Sequence, residues 1–289
     1  MIIDEELARR LVARQFPDWA DLPITPVERG GVDNRTFRLG RELTVRLPAG
    51  DWYALQVAKE QRWLPILGPQ LPLPIPTPIA QGEPGEGYPY AWSVYRWLAG
   101  QPAHGPITDL DGFATRLAVF LVALQQVDAT DGPGPGRHNF FRGGPLSTYA
   151  EETEAAIDDL GPEVDADACR RLWSDAMSAE WTGRPVWFHG DIAVGNLLTR
   201  DGRLAAVIDF GTSGVGDPAC DVVIAWTRFS GTSRTAFRRT LGVDQRTWSR
   251  GRGWALWKAL ITLRGQLEKD RGAIPESRRV IDAVLADRD

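Results

Sequence analysis

The stretch VWFHGDIAVGNLLTRDGRLAAVIDFG, residues 186–211, carries three oxygen-bearing side chains at a spacing that can do chemistry: Asp191, Asn196 and Asp209. Asp201-Gly202 stands between the apolar runs NLLT and LAAVI, a strong signal for a two-residue hairpin turn. With that turn Asn196 faces Val207, and Asp209 follows two residues further along on the same face. Their Cβ atoms would then lie about 5–8 Å apart as diagonal neighbours. Two hard oxygen ligands at that separation suit one Mg2+, which in phosphoryl-transfer sites is held by one or two carboxylates together with substrate phosphates. Asp191 lies five residues before Asn196, in the loop entering the hairpin, and is the candidate catalytic base. Such a base orients a hydroxyl and takes its proton late, while the metal offsets the developing charge. Taken singly, Asp191 and Asp209 also read as turn residues, and His189 as a packed core histidine. Their convergence at one hairpin mouth favours the functional reading.

The pattern HGDxxxxN, followed by a strand and DFG, resembles the aminoglycoside phosphotransferase family, which includes macrolide kinases and shares the protein-kinase-like fold. GVGDPACD at 214–221, KEQRWL at 59–64 and LTVRLP at 43–48 extend the resemblance over nearly the whole chain. It implies that Asp191 is the catalytic aspartate, that Asn196 and Asp209 are magnesium ligands, and that ATP or GTP is the co-substrate. Arg46 occupies the position of a strand lysine that in most members contacts the α- and β-phosphates, with Glu60 on the next helix as its ion-pair partner. Arginine is a planar fork and lysine a point charge, so this departure alters phosphate geometry while keeping the charge. Gly30-Gly31 before Asn34 resembles the loop over the phosphates, and Tyr95, Arg96 and Leu98 fall in the segment matching the hinge that bonds the purine. By the same resemblance His189 braces the loop and Asp221 hydrogen-bonds it from behind. Asp217-Pro218 is ordinary helix initiation, an N-cap followed by proline at the first helical position.

The elements that must position these groups follow from periodicity. Helical spacing is expected over residues 4–15, 52–67, 108–127, 147–159, 166–180, 218–229, 244–269 and 275–287. Short apolar runs with glycine turns over 24–47, and the aromatic, β-branched segment from Tyr88 to Leu98, read as strands. Prolines at 69, 72, 74, 76 and 78 impose an extended connector, and GPGPGRHNFFRGG at 132–144 is a loop without a legible task. The expected class is therefore α+β with two lobes. A small antiparallel-sheet N-lobe over 1–98 would bind nucleotide, and a mainly helical C-lobe over 99–289 would carry the catalytic loop and acceptor site.

Composition narrows the partners. A formal charge of -5 gives no basic footprint for a phosphate backbone, which argues against nucleic acid and for small metabolites. An acidic N-terminus and the lack of any apolar run near membrane-spanning length point to a cytoplasmic protein with no membrane partner. Cys169 and Cys220, without paired spacing, are expected reduced and buried, and the expected state is a monomer or weak dimer. Between Gly143 and Cys169 stand eight acids and no lysine or arginine; Glu151, Glu154 and Asp158 share one helical face. This is either an acidic lip for a polycationic acceptor or a solvated helix face. Trp248, Trp254 and Trp257 either floor an acceptor pocket or fill the core. A metal-dependent phosphohydrolase and a nucleotide-binding module without turnover are the competing functions. The hinge-like strand counts against the first, and the complete Asp191, Asn196 and Asp209 set against the second.

Overall fold

The computed structural model describes residues 2–27, 33–268 and 274–287. Helix α1 (Glu5–Gln15) opens where Asp4 accepts the Leu7 N–H, and it buries Leu7, Ala8, Leu11 and Val12 at helical spacing. Strands β1 (Ile24–Pro26), β2 (Asn34–Leu39) and β3 (Leu43–Pro48) form the expected meander. Helix α2 (Asp51–Leu67) follows, then β4 (Pro78–Gly82) and β5 (Trp92–Arg96). The resulting antiparallel sheet has the order β1-β2-β3-β5-β4. Strand β4 was not expected: its first residue, Pro78, is also the last of the proline run. It lies at the sheet edge, where a missing N–H is tolerated. The strand expected from Tyr88 to Leu98 narrows to β5, since Tyr88 instead turns its hydroxyl onto the Pro48 carbonyl at 2.7 Å.

The second lobe holds β6 (Gln101–Pro102), α3 (Leu110–Gln126), α4 (Ala150–Leu160), α5 (Ala166–Ser178) and β7 (Val186–Phe188). After them come β8 (Leu197–Arg200), β9 (Arg203–Val207), β10 (Gly214–Gly216) and α6 (Ile224–Thr227). Helices α7 (Gly231–Leu241), α8 (Gln245–Leu267) and α9 (Ile274–Leu285) close the lobe. The helix expected over 218–229 is instead a 3-10 segment, Pro218–Val223, running into the short α6. Helix α7 escaped the pattern because GTSRTAFRRTL offers few apolar residues; it is fixed by a capping box at Ser230 and by burial of Ala236, Phe237 and Leu241.

The lobes are joined through α2, whose Trp63, Leu64 and Leu67 belong to the large core of the helical lobe. Trp63 meets Trp187 of β7 edge-on at 5.0 Å, a favourable aromatic geometry. Cys169 and Cys220 are free and buried, as expected. No helix among the described residues is long and apolar enough to cross a membrane.

Candidate active site

The β8–β9 turn forms as the sequence predicts, with Asp201 and Gly202 both left-handed at φ 51° and 72°. The register does not. Near the turn Arg200 pairs with Arg203 and Thr199 with Leu204, but beyond a shift in β9 Leu198 pairs with Ala206 and Leu197 with Val207. Asn196 is thus not opposite Val207. It closes a 3-10 turn before β8, and its carbonyl accepts the Ile208 N–H at 2.9 Å. A bulge of this kind re-aims the strand end next to a site. Asp209 follows directly in the left-handed conformation, φ 68°, uncommon for a residue with a side chain.

Asp191 and Asn196 meet directly. Asn196 Nδ2 donates to Asp191 Oδ2 and to the Asp191 carbonyl, both at 2.9 Å. The other carboxylate oxygen, Oδ1, accepts from Lys258 Nζ of α8 at 2.5 Å. Burial by itself would raise the Asp191 carboxyl, but the Lys258 ammonium, together with Arg142, outweighs it and holds the group below the usual carboxylate range. It is therefore ionised at neutral pH.

The loop behind Asp191 is fixed from two sides. Asp221, buried, accepts the His189 N–H at 2.8 Å and the Gly190 N–H at 2.7 Å, the bracing expected of it. Burial pushes its carboxyl up to about 7 against those two hydrogen bonds. His189 is fully buried; its Nδ1 accepts the Asp191 N–H at 3.2 Å, so Nε2 carries the proton donated to the Ile208 carbonyl at 3.0 Å. Burial lowers its pKa, keeping it neutral and structural. Gly190, at φ 86°, has room for no side chain, since a Cβ would stand 2.6 Å from the Thr212 carbonyl oxygen.

A cavity of about 280 Å³ lies between the sheet and this loop. Of the sequence-derived candidates, Asn34, Arg46, Tyr95, Arg96, Leu98, Asn196 and Asp209 line it. Glu60 does not line it but sits behind Arg46, as an ion pair at 3.6 Å, and accepts from Tyr95 Oη at 2.6 Å. Tyr95 therefore braces the Arg46 partner as well as walling the cavity. Arg46 is closer to Asp209, donating to Oδ1 at 2.8 Å. In the hinge segment Arg96 N–H is spent on the Thr77 carbonyl and Trp97 N–H on the Glu42 carbonyl. The Leu98 N–H makes no backbone hydrogen bond among the described residues. Gly30-Gly31 lies outside the described residues.

The oxygens left over suit a hard cation. Asn196 spends its amide nitrogen on Asp191, and no donor among the described residues meets its Oδ1 or the Oδ2 of Asp209. A neutral amide oxygen and a carboxylate oxygen on one cavity wall are donors Mg2+ accepts.

Several contributors were not anticipated. Asp33 lines the same cavity, its carboxyl raised by burial and by Asp209. Lys59 of α2, inside the KEQRWL motif, donates to the Gly211 and Ser213 carbonyls at 2.6 and 2.8 Å and so anchors the segment after Asp209. Arg250 of α8 grips Asp217 with a buried fork, 2.6 and 3.0 Å, so Asp217 is more than the cap expected of it. Asp191 opens onto a smaller second cleft that it shares with Arg142, Trp254, Trp257 and Lys258. Trp248, Trp254 and Trp257 are buried core residues, two of which also wall this cleft. Half of the acidic run is paired with arginine: Arg170 holds Glu154 and Asp158, Arg264 holds Asp159, and Arg278 holds Glu163.

A family model described as the phosphotransferase enzyme family matches residues 24–254, most of the chain. No curated protein sequence matches. Solved structures with similar folds include the GDP complex of wild-type aminoglycoside 2'-phosphotransferase-IIIa, at TM-score 0.74 and 19% identity, covering 99% of this chain and 100% of that one. The GDP and kanamycin complex of an APH(2")-type enzyme superposes at TM-score 0.73 and 20% identity, covering 98% and 99%. The macrolide 2'-phosphotransferase of Brachybacterium faecium does so at TM-score 0.62 and 20% identity, covering 99% of each chain. At these identities the likeness is one of fold, and the fold is the two-lobed, protein-kinase-like α+β architecture.

Proposed function

Given that the chain belongs to the phosphotransferase enzyme family, we propose that it is a small-molecule kinase, transferring the γ-phosphoryl group of ATP or GTP to a hydroxyl of an antibiotic-like acceptor. The relatives named above include aminoglycoside and macrolide phosphotransferases, which sets the acceptor classes to try first. The observation that carries the reading is the Asn196–Asp191 hydrogen bond. It links a base ionised at neutral pH to the wall of a nucleotide-sized cavity, on which Asp209 and Arg46 also stand. The sheet lobe, 1–98, would hold the nucleotide, and 99–289 the catalytic loop and acceptor.

In this reading the cavity takes the nucleotide, the base toward Tyr95, Arg96 and Leu98 and the phosphates toward Asn34 and Arg46. Leu98 N–H, without a backbone partner among the described residues, is the hinge donor this reading assigns to a purine acceptor. Arg46, held by Glu60 from behind, presents its charge to the phosphates. Mg2+, held through Asn196 Oδ1 and Asp209, would supply charge neutralisation for the transferring group. Asp191 orients the acceptor hydroxyl and takes its proton as the oxygen bonds to the γ-phosphorus. The bond from that phosphorus to the β–γ bridging oxygen breaks, and the nucleoside diphosphate leaves. Asp221 and His189 keep the loop in place without touching the reactants.

The test is magnesium-dependent turnover of ATP and GTP against aminoglycosides, macrolides and simple alcohols, with mass spectrometry reading phosphate addition. A gain of one phosphate on an acceptor establishes the kinase. Nucleotide hydrolysis at the same rate with and without every acceptor would instead indicate a phosphohydrolase.

A further inference from the structure

Asp191 stands between two clefts, and each of its carboxylate oxygens already has a partner. Oδ2 accepts from Asn196 Nδ2 at 2.9 Å, on the wall of the large cavity, and Oδ1 accepts from Lys258 Nζ at 2.5 Å, in the smaller cleft beyond it. With Lys258 in that place the smaller cleft has about 10 Å³ of free space, room for about one water. Asn196 keeps Oδ2 on the side of the large cavity, so an acceptor hydroxyl arriving through the smaller cleft meets Oδ1, and Lys258 has to give way.

The two cations of that cleft differ in their freedom to move. Arg142 donates to Tyr149 Oη at 2.6 Å and lies over the Trp254 and Trp257 rings at 5.3 and 4.7 Å, a planar ion held on several sides. Lys258 has Asp191 as its one ion-pair partner among the described residues, and its side chain is 39% exposed. An ammonium on a flexible four-carbon stem re-aims its donors easily. Displaced from Oδ1 by the hydroxyl, it stays beside that hydroxyl, and so beside the group the hydroxyl receives. In the kinase reading that group is a phosphoryl, approached from the large cavity, where Arg46 stands.

We propose that Lys258 is a catalytic residue of the transfer: displaced from Asp191 by the acceptor hydroxyl, its ammonium donates hydrogen bonds to the non-bridging oxygens of the phosphoryl group in flight. The acceptor oxygen bonds to the γ-phosphorus, its proton passes to Asp191, and the bond to the β–γ bridging oxygen breaks. Lys258 keeps its own protons throughout. A donor that meets charge only as the group crosses stabilises the transition state without tightening the bound nucleotide. This inference rests on the kinase reading for the identity of the transferred group, and it adds a helix α8 residue to the machinery of that same site.

The test needs no acceptor. Magnesium ADP and GDP are titrated calorimetrically into the full-length protein with and without aluminium fluoride, an anionic mimic of the phosphoryl group in transfer, with water in the acceptor position. Wild type is expected to bind the diphosphate at least about tenfold more tightly with the fluoride. Lys258→Met is expected to lose about tenfold or more of that gain, and Lys258→Arg to keep most of it. Diphosphate affinity without the fluoride, within about twofold of wild type in both variants, shows that they are folded. Asp191→Asn separates a direct role from one exerted through the base: it removes the ion pair but leaves the ammonium, so the gain should persist. A gain absent in wild type, unchanged in Lys258→Met, or lost equally in Lys258→Met and Asp191→Asn would each overturn the proposal while leaving nucleotide binding intact. Failure of both diphosphates to bind would instead remove the kinase reading, and the proposal with it.

Discussion

Arg46 of β3 donates to Asp209 Oδ1 at 2.8 Å across 163 positions of sequence, tying the sheet lobe to the loop that follows β9. Glu60 lies on the other side of the same guanidinium at 3.6 Å. Burial works against the arginine's proton, but Asp209 and Glu60 outweigh it and raise the pKa. The fork therefore stays charged and is shared between a positioning carboxylate and a carboxylate proposed to hold metal. In the proposed reading, phosphates entering the cavity would offer it a second anionic partner in competition with Asp209. Arg46→Ala is expected to raise the nucleotide KM by about tenfold to a hundredfold, and Arg46→Lys, which keeps a point charge, by less than about tenfold. Steady-state kinetics over a nucleotide series checks this. An unchanged KM in Arg46→Ala would remove Arg46 from the phosphate site.

Asp191 and Asp209 should fail in different ways. Asp191→Ala is expected to lower kcat by about 10²–10⁴, the usual worth of a general base, with nucleotide affinity little changed. Asp209→Ala is expected to lose magnesium-dependent nucleotide binding as well, which calorimetric titration with and without the metal separates. Full activity in Asp191→Ala would sink the assignment of the base.

The candidate site was legible because its residues are local. Asp191, Asn196 and Asp209 flank one hairpin whose turn, Asp201-Gly202, announces itself. The register slip was not legible, because a bulge in β9 is set by packing and by the Ile208–Asn196 hydrogen bond rather than by any turn residue. Glu60 was placed correctly beside Arg46, whereas its neighbour Lys59 looks in sequence like an ordinary helix lysine. Lys258 and Arg250 lie on α8, 67 and 33 residues from the aspartates they hold, and nothing local marks them. Long-range pairs of this kind depend on how α8 crosses the loop, which periodicity does not encode.

Arg250 and Asp217 form a two-bond fork with side chains only 6% and 5% exposed. Removing one partner leaves the other charge buried and uncompensated. Arg250→Met is expected to destabilise the fold by about 3–5 kcal/mol. The double variant Arg250→Met with Asp217→Asn should recover part of that loss, since it leaves no buried charge. Urea unfolding of the single and double variants checks both; equal losses in the two would mean that packing, not charge, governs the site.

Lys59 gives the fold a pH dependence of definite sign. Burial lowers its pKa from 10.5 to about 7, with Glu60 and Asp209 opposing the shift only in part. Its two hydrogen bonds, to the Gly211 and Ser213 carbonyls, are ones a neutral amine can still donate. Between about pH 7 and 10.5 the unfolded chain therefore binds a proton at Lys59 that the folded chain does not. Where the unfolded state binds more protons, stability rises with pH, here by at most about 1.4 kcal/mol per unit. Below that window both states are protonated and the contribution is flat. Lys59→Met loses both hydrogen bonds and should be less stable throughout, but it should lack this rise. Urea midpoints for the two proteins, measured at about pH 7 and about pH 10, should therefore diverge as pH increases. Parallel behaviour would mean that Lys59 keeps its proton when folded, and that the anchor on the segment after Asp209 is an ammonium rather than an amine.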